Sequence, residues 1–101
     1  MDRADLLRAL EESLPAFGVR RAFLFGSWAR GTATRTSDVD LVVIKETDER
    51  FVKRAAEFDA LSEAIGTQID VLVYTEAEWE SVRSRPFFRD VERLGAALNV
   101  S

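Results

Sequence analysis

The feature that most constrains the fold is a pair of aspartates inside an apolar segment, in the stretch LFGSWARGTATRTSDVDLVVI from Leu24 to Ile44. Asp38 and Asp40 are two residues apart on a predicted strand, so both side chains leave the same face of the sheet. Asp70 interrupts a later apolar run, QIDVLVY, in the same way. If these two strands are neighbours, three carboxylates lie side by side.

Three neighbouring carboxylates are an unfavourable arrangement for a protein core. Each would cost several kcal/mol to desolvate, and the like charges would push at least one of them toward protonation. Divalent cations resolve this conflict, and a site made only of oxygen atoms favours a hard ion such as Mg²⁺ or Mn²⁺. Two such ions about 3.5–4 Å apart assist in-line phosphoryl transfer. We therefore predict Asp38, Asp40 and Asp70 as metal ligands.

A second group of residues has the features of a phosphate-binding turn. Gly26 ends an apolar run, and its missing side chain lets a ligand approach the backbone closely. Ser27 opens a short helical turn and contributes a hydroxyl donor, and Arg30, one turn later, contributes a planar fork suited to phosphate. Gly31 would let the chain leave this turn. Ser37 is placed to cap or orient the carboxylate strand. Together the turn and the metal site predict binding of a nucleoside triphosphate with magnesium.

Hydrophobic periodicity predicts an α/β (α+β) fold, with a small mixed sheet packed with helices in the order α-β-β-α-β-α-α. The predicted elements are a helix over 3–14, strands over 22–25 and 39–44, a helix over 48–65, a strand over 68–74, a short helix over 75–82 opened by a capping box, and a last helix over 86–98. The helix over 48–65 has the length of a crossover, which favours parallel second and third strands. The polar connection 26–37 is the expected ligand site. At 101 residues the chain is predicted to be a single domain, 1–101.

The composition excludes several classes of chemistry. The chain has no histidine and no cysteine, so it supplies neither a Ser-His-Asp triad nor a zinc site with histidine or thiolate ligands. With 14 basic and 18 acidic residues its net charge is −4, so we expect no general attraction for nucleic acid. No apolar run approaches the roughly 20 residues needed to span a bilayer, and the charged N-terminal stretch lacks a signal-peptide core. We expect a soluble, cytoplasmic protein.

Two smaller features have a structural interpretation and a functional alternative. Trp28 and Trp79 are interpreted as packing residues, although Trp28 lies close enough to the turn to touch a nucleobase. The C-terminal third carries four arginines, interpreted as a solvated face balanced by nearby acids, with a partner-binding surface as the alternative: Arg83, Arg85, Arg89 and Arg93.

The segment from Gly26 to Asp40, a GS pair followed by ten residues and then DVD, resembles the GS-x10-DxD signature of the polymerase-beta-like nucleotidyltransferase superfamily. The fuller string GSWARGTATRTSDVDLVV is most similar to the minimal nucleotidyltransferases, the MntA type of prokaryotic proteins. The resemblance is close over 24–44 and loose over 68–74; the helices add only a matching order.

This resemblance implies the nucleotidyltransferase fold and a role for each matching residue. Ser27 is implied as the triphosphate ligand, and Arg30 falls on an arginine that is frequent in such motifs. Asp38 and Asp40 are implied as ligands of two Mg²⁺ ions, and Asp70 as the third carboxylate, which holds the catalytic metal and helps deprotonate the acceptor.

The expected reaction moves a nucleoside monophosphate, AMP if the substrate is ATP, onto a hydroxyl group and releases pyrophosphate. Similar minimal proteins are antitoxins that adenylylate a tyrosine of a HEPN-domain toxin, so the resemblance favours such a protein as the acceptor. One alternative is a binding module that masks a partner without catalysis. Another is nucleotidylation of an antibiotic or other small molecule, although such enzymes usually carry an additional helical domain. A polymerase is not expected, because so short and acidic a chain has no room for template-gripping subdomains.

Overall fold

A four-stranded mixed β-sheet organises the chain, for which the computed structural model describes residues 2–34 and 37–100. The strands are β1 (Arg21–Phe25), β2 (Val39–Ile44), β3 (Ile69–Tyr74) and β4 (Ala96–Leu98). They lie in the order β3-β2-β1-β4. β1 is antiparallel to both of its neighbours, whereas β2 and β3 are parallel, which confirms the predicted pairing.

Helices pack on both faces of this sheet. In the described ranges the α-helices are α1 (Arg3–Ser13), α2 (Ser27–Arg30), α3 (Phe51–Arg54), α4 (Asp59–Ile65), α5 (Glu76–Val82) and α6 (Pro86–Leu94), with 3₁₀ turns at Leu14–Phe17 and Ala55–Phe58. None of these helices is long and apolar enough to cross a membrane. The mixed α/β fold predicted from the sequence is confirmed.

The alternation of β2 divides the core into two layers. Val39, Leu41 and Val43 contribute to a buried cluster shared with α1 and α4. Val42 and Ile44 face the opposite side, where they pack with residues of α5 and α6. Both faces of the strand are therefore covered along most of its length, and the polar start of β2 is the place where a ligand can approach.

Trp79 is a packing residue, as the sequence predicted. Its side chain is fully buried in the α5–α6 layer, and its ring stacks on Phe23 with 5.5 Å between ring centroids. Its indole Nε1–H has no hydrogen-bond partner within the described residues.

The predicted last helix over 86–98 is wrong in its C-terminal part. Helix α6 ends at Leu94, and the residues after Gly95 form β4, which pairs with β1. Gly95 permits this change because a methyl group there would lie 2.6 Å from the carbonyl oxygen of Leu24. Only a residue without a side chain allows the helix end to pass this close to β1.

The predicted helix over 48–65 also begins later than expected and is not continuous. The hydroxyl of Thr47 accepts a hydrogen bond of 3.0 Å from the Glu49 amide, which gives the backbone an alternative to the helix. The helix begins at Phe51, and a 3₁₀ turn separates α3 from α4. Phe51 is 45% exposed, whereas Phe58 and Leu61 are buried, so the segment packs against the core only in its second half.

Arg54 and Glu78 join the crossover segment to α5. The Arg54 guanidinium donates to both carboxylate oxygens of Glu78, at 2.6 and 3.2 Å, and to the carbonyl oxygen of Val73 at 3.2 Å. Glu78 also accepts a hydrogen bond from the amide of Thr75, whose hydroxyl accepts one from the Glu78 amide, so the predicted capping box is present. The hydrogen bond from Arg54, followed by that from the Thr75 amide, lowers the pKa of Glu78 from 4.5 to about 2.

We predict that Glu78→Gln lowers the free energy of unfolding at pH 7 by about 1 kcal/mol, the usual contribution of a helix cap. Because the pKa of Glu78 is lowered in the folded protein, its stabilising contribution is complete above pH 4.5 and is lost as the pH falls toward 2. Urea unfolding of both proteins between pH 2 and 7 measures this difference. Glu80→Gln, which removes the exposed pairing with Arg83, serves as control and should change stability by less than about 0.5 kcal/mol. Equal losses in the two variants would contradict the assignment.

Candidate nucleotide and metal site

The turn predicted after β1 has the expected form. Helix α2 begins at Ser27 and ends at Arg30, and Gly31 follows with φ 76° in the left-handed region. Gly26 precedes the helix with φ 74° and ψ −152°, a conformation that is essentially restricted to glycine. Ser27 is partly buried and Arg30 is exposed, so the guanidinium is accessible to a ligand.

Asp40 lies at the centre of the candidate site because its strand is an inner one. On one side Asp40 is in register with Phe25, the last residue of β1, and on the other side with Asp70 of β3. A methyl group at Gly26 would lie 2.5 Å from Asp40 Oδ2. The absent side chain of Gly26 is therefore what lets the turn and this carboxylate meet.

The other charged residues predicted for the site change the pKa of Asp40. Burial raises the pKa of the Asp40 carboxyl above its ordinary value of 3.8, and the negative charges of Asp70 and then Asp38 raise it further. The Arg30 guanidinium acts in the opposite direction and lowers it. The structure thus brings the three aspartates and the arginine into one electrostatic group. Asp38 and Asp70 are exposed, and Asp40 is half-buried.

The three carboxylates are neighbours but do not form a closed metal cage. Within residues 2–34 and 37–100, no group of three or more acidic side chains is placed to hold a metal ion as it stands. Asp70 instead accepts a hydrogen bond of 3.2 Å from the side-chain amide of Gln68. The donor chemistry fits a hard cation, because the atoms are all carboxylate oxygens and their mutual repulsion is the conflict that a cation relieves. A site with all three carboxylates as direct ligands would therefore require these side chains to rotate.

Ser37 and Trp28 organise the connection before β2. The Ser37 hydroxyl accepts a hydrogen bond of 2.8 Å from the Thr34 amide, and the Ser37 amide donates to the Thr34 carbonyl at 3.1 Å. The Trp28 indole Nε1–H donates to the Ser37 carbonyl at 3.4 Å, and its ring packs against the core layer that α1 and α4 share. Ser37 therefore holds the loop that leads into the carboxylate strand. Residues 35 and 36 of the predicted ligand-binding connection lie outside the described residues.

Two of these contacts are not predicted by the sequence analysis. Gln68 begins the run QIDVLVY, two residues before Asp70, and this spacing on an extended strand is the signal that could have placed both side chains on one face. Trp28 links α2 to the loop of Ser37 without any local sequence signal, because its hydrogen bond joins residues nine positions apart.

We predict that Gly26→Ala lowers the free energy of unfolding by about 1–3 kcal/mol, because alanine is strained at this φ and ψ and its methyl group collides with Asp40. Gly66→Ala is the comparison: Gly66 has φ 83° and ψ 23°, in the left-handed region that other residues occasionally adopt, and a methyl group there meets no atom within 4 Å. Thermal and urea unfolding of both variants measure the two losses. If Gly66→Ala costs as much as Gly26→Ala, neither the glycine-only conformation of Gly26 nor the approach of Asp40 contributes as assigned.

We predict that Asp40→Asn is more stable than the wild type at neutral pH in a chelator, by less than about 1 kcal/mol for so accessible a carboxylate. The folded-state pKa of Asp40 is raised, so ionisation destabilises the folded protein as the pH rises through that value. The advantage of the variant should therefore disappear below the ordinary pKa of 3.8. Unfolding curves between pH 3 and 8 test this, with exposed Asp48→Asn as control. A variant that melts lower than the wild type at neutral pH would show that Asp40 is structural.

Comparison with known proteins matches this chain to nucleotidyltransferases. The family model described as "Nucleotidyltransferase domain" matches residues 4–91. A Methanocaldococcus jannaschii protein named as a protein adenylyltransferase is 32% identical over 74 residues, which cover 73% of this chain and 80% of that protein.

Solved structures of related proteins share the fold of this chain. A structure described as a minimal nucleotidyltransferase is 29% identical, has a TM-score of 0.67, and the match covers 94% of each chain. A toxin–antitoxin structure with AMP-PNP is 23% identical, has a TM-score of 0.51, and is matched over 72% of this chain and 57% of its own. The family match and the M. jannaschii relative confirm the family expected from the GS and DVD residues: the chain belongs to the nucleotidyltransferase domain family and is a nucleotidyltransferase.

Proposed function

We propose that this nucleotidyltransferase transfers AMP from ATP, with Mg²⁺, onto a tyrosine hydroxyl of a HEPN-type toxin in the same cytoplasm, and so acts as an antitoxin. The observation that carries the proposal is the electrostatic grouping of Asp38, Asp40, Asp70 and Arg30 beside the Gly26 turn. This grouping offers carboxylates for metal ions and, next to them, a cationic and hydroxyl-bearing turn for phosphates.

The order of the strands suggests the direction of the transfer. Gly26 and Ser27 follow β1, Asp38 immediately precedes β2, which contains Asp40, and Asp70 lies on β3. The groups therefore form a row across the sheet. In the proposed complex Ser27 and Arg30 bind the β and γ phosphates, which places the leaving pyrophosphate on the β1 side. An in-line reaction then requires the acceptor hydroxyl on the β3 side.

Each carboxylate has a proposed role in this row. Asp38 and Asp40 would hold two Mg²⁺ ions and Asp70 would hold one of them; such ions would supply positive charge to the reacting oxygens. The acceptor oxygen attacks the α-phosphorus, the bond to the pyrophosphate oxygen breaks, and Asp70 helps to remove the hydroxyl proton. Ser37 supports this arrangement by holding the loop before Asp38 rather than by a direct contact. The chain's main contribution is positioning and charge stabilisation.

A protein acceptor is favoured over a small molecule. The M. jannaschii relative is named as a protein adenylyltransferase, and one structural neighbour is a toxin–antitoxin solved with AMP-PNP. These names support a protein substrate, a toxin partner and an adenine nucleotide.

Masking of the partner without catalysis is the second candidate. It is favoured by the large exposed apolar residues Phe87 and Leu94, which lie on the helix facing the candidate site. The two candidates differ in whether inhibition requires the carboxylates. They are not exclusive, because an enzyme must also bind its acceptor.

We predict that incubation with α-labelled ATP, Mg²⁺ and the protein encoded beside this chain labels that protein on a tyrosine, located by mass spectrometry. Asp40→Asn and Ser27→Ala should reduce the labelling rate by about 100-fold or more, as loss of a charge-stabilising group does. They should also abolish the Mg²⁺-dependent rise in melting temperature produced by ATP.

Asp48→Asn is the control and should transfer label at the wild-type rate, because its side chain is exposed and follows the end of β2 opposite to Asp40. Inhibition of the partner without label transfer, unchanged in Asp40→Asn, would leave masking as the function. Label on an added aminoglycoside but not on the protein would indicate the small-molecule alternative.

A further inference from the structure

Trp28 connects the two parts of the candidate site. It is the second residue of α2 and directly follows Ser27. Its indole Nε1–H donates a hydrogen bond of 3.4 Å to the carbonyl oxygen of Ser37, the residue before Asp38. One side chain therefore reaches from the turn proposed to bind phosphate to the chain that leads into the carboxylate strand.

The Trp28 ring lies on the opposite face of the sheet from the carboxylates. Successive side chains of a strand alternate between the two faces, so Asp40 shares a face with Val42, which packs in the α5–α6 layer. The Trp28 ring packs instead against the layer of α1 and α4, to which Val39 and Leu41 belong. This placement disfavours stacking of Trp28 on the base of a nucleotide that the carboxylates hold, and it favours a supporting role.

The hydrogen bond to Ser37, rather than complete burial, fixes the orientation of the Trp28 ring. The side chain is only partly buried, and it also lines a cavity of about 590 Å³ together with Ile65 and Gly66. Space on that side would allow the ring to turn if it were held by packing alone. A phenyl group at position 28 would retain much of the apolar packing, but it has no N–H to donate to Ser37.

The chain after α2 is attached to the helix at two places. The Thr32 amide donates to the carbonyl oxygen of Ser27 at 3.0 Å, and Trp28 holds the carbonyl of Ser37. Because Asp38 is the next residue, its position relative to the turn depends on these attachments. One hydrogen bond contributes little to net stability, but the rate of a transfer reaction falls steeply when reacting groups are displaced by about 1 Å.

We propose that Trp28 is a positioning residue for nucleotidyl transfer. Its hydrogen bond to Ser37 sets the distance between the phosphate-binding turn and Asp38, so that phosphates on the turn and a divalent cation on the carboxylates are correctly placed together. Trp28 acts through Ser37 and Asp38 and touches neither substrate nor cation. This inference rests on the proposed roles of the turn and the carboxylates, and it is independent of the identity of the acceptor.

The first test observes the indole N–H groups in the full chain labelled with ¹⁵N. The chain has two tryptophans, so two indole signals are expected, and Trp28→Phe identifies the signal of Trp28. We expect inorganic tripolyphosphate with Mg²⁺ to shift the Trp28 signal. The Trp79 signal should not move, because Trp79 packs on Tyr74, at the opposite end of β3 from Asp70.

Tripolyphosphate has no base, so this probe separates positioning from stacking. A shift of the Trp28 signal with AMP-PNP and Mg²⁺ but not with tripolyphosphate would indicate contact with the base and would overturn the proposal. A rise in melting temperature with tripolyphosphate and Mg²⁺ that leaves the Trp28 signal in place would also overturn it. If neither ligand raises the melting temperature, the turn is not a phosphate site, and the proposed function and this inference both fail.

The second test compares Trp28→Phe with Trp79→Phe. Both changes replace an indole by a phenyl group, but the Nε1–H of Trp79 has no hydrogen-bond partner within the described residues. In transfer to the protein encoded beside this chain, Trp28→Phe should lower kcat by about tenfold or more and raise the Mg²⁺ concentration for half-maximal rate. KM for ATP at saturating Mg²⁺ should change by less than about threefold, because Ser27 and Arg30 are unaltered.

Trp79→Phe should retain the wild-type kcat, KM and Mg²⁺ requirement when it is assayed below its melting temperature. Trp28→Phe should itself melt less than about 8 °C below the wild type, the shift expected for one hydrogen bond in a domain of this size. An equal loss of kcat in the two variants, or a loss in Trp28→Phe without a change in Mg²⁺ requirement, would contradict the positioning role. If the wild type does not label the neighbouring protein, the proposed acceptor is rejected, and the tripolyphosphate experiment decides the role of Trp28.

Discussion

The site depends on the parallel pairing of β2 with β3, which sets Asp40 directly beside Asp70. Two carboxylates in register repel each other, and the burial of Asp40 adds to the cost of its charge. The pairing persists because the rest of both strands is apolar: Leu41, Val43 and Val71 belong to the buried layer beneath the crossover. Hydrophobic burial along β2 and β3 thus keeps Asp40 and Asp70 side by side near the start of the strands, although their charges repel each other.

The glycine-tipped turn completes this arrangement from the opposite side. Because Gly26 has no side chain, the end of β1 approaches Asp40 closely enough for Arg30, one turn farther, to reduce the pKa increase of that carboxyl. Trp28 ties the same turn to Ser37, so the short helix and the loop before β2 are linked by a hydrogen bond as well as by the chain between them. The cationic and the anionic parts of the site are therefore supported by a common set of contacts.

Much of this could be read from the sequence because the relevant signals are local. The capping box of Thr75 and Glu78, the turn at Gly26 and the parallel crossover follow from residues close together in the chain. Strand β4 is not predicted, because its three residues, Ala96–Leu98, show no alternation of apolar and polar side chains. Its pairing with β1 depends on the contact of Gly95 with Leu24, which is distant in sequence. The late start of α3 depends on one side-chain bond from Glu49 to Thr47. The hydrogen bond between Gln68 and Asp70 depends on side-chain rotamers, which hydrophobic periodicity does not predict.

The crossover between β2 and β3 and the strand that follows it differ in how far their lengths can change. In the crossover, residues 48–53 are exposed, so residues could be gained or lost there with little disturbance of the sheet, whereas Phe58 and Leu61 farther along are buried. Strand β3 has no such tolerance. A shift of its register by one residue would turn Asp70 toward the layer shared with α1 and α4, and would bring Ile69 or Val71 to the ligand. Changes in length are therefore tolerated in the exposed part of the crossover but not in strand β3, which follows it.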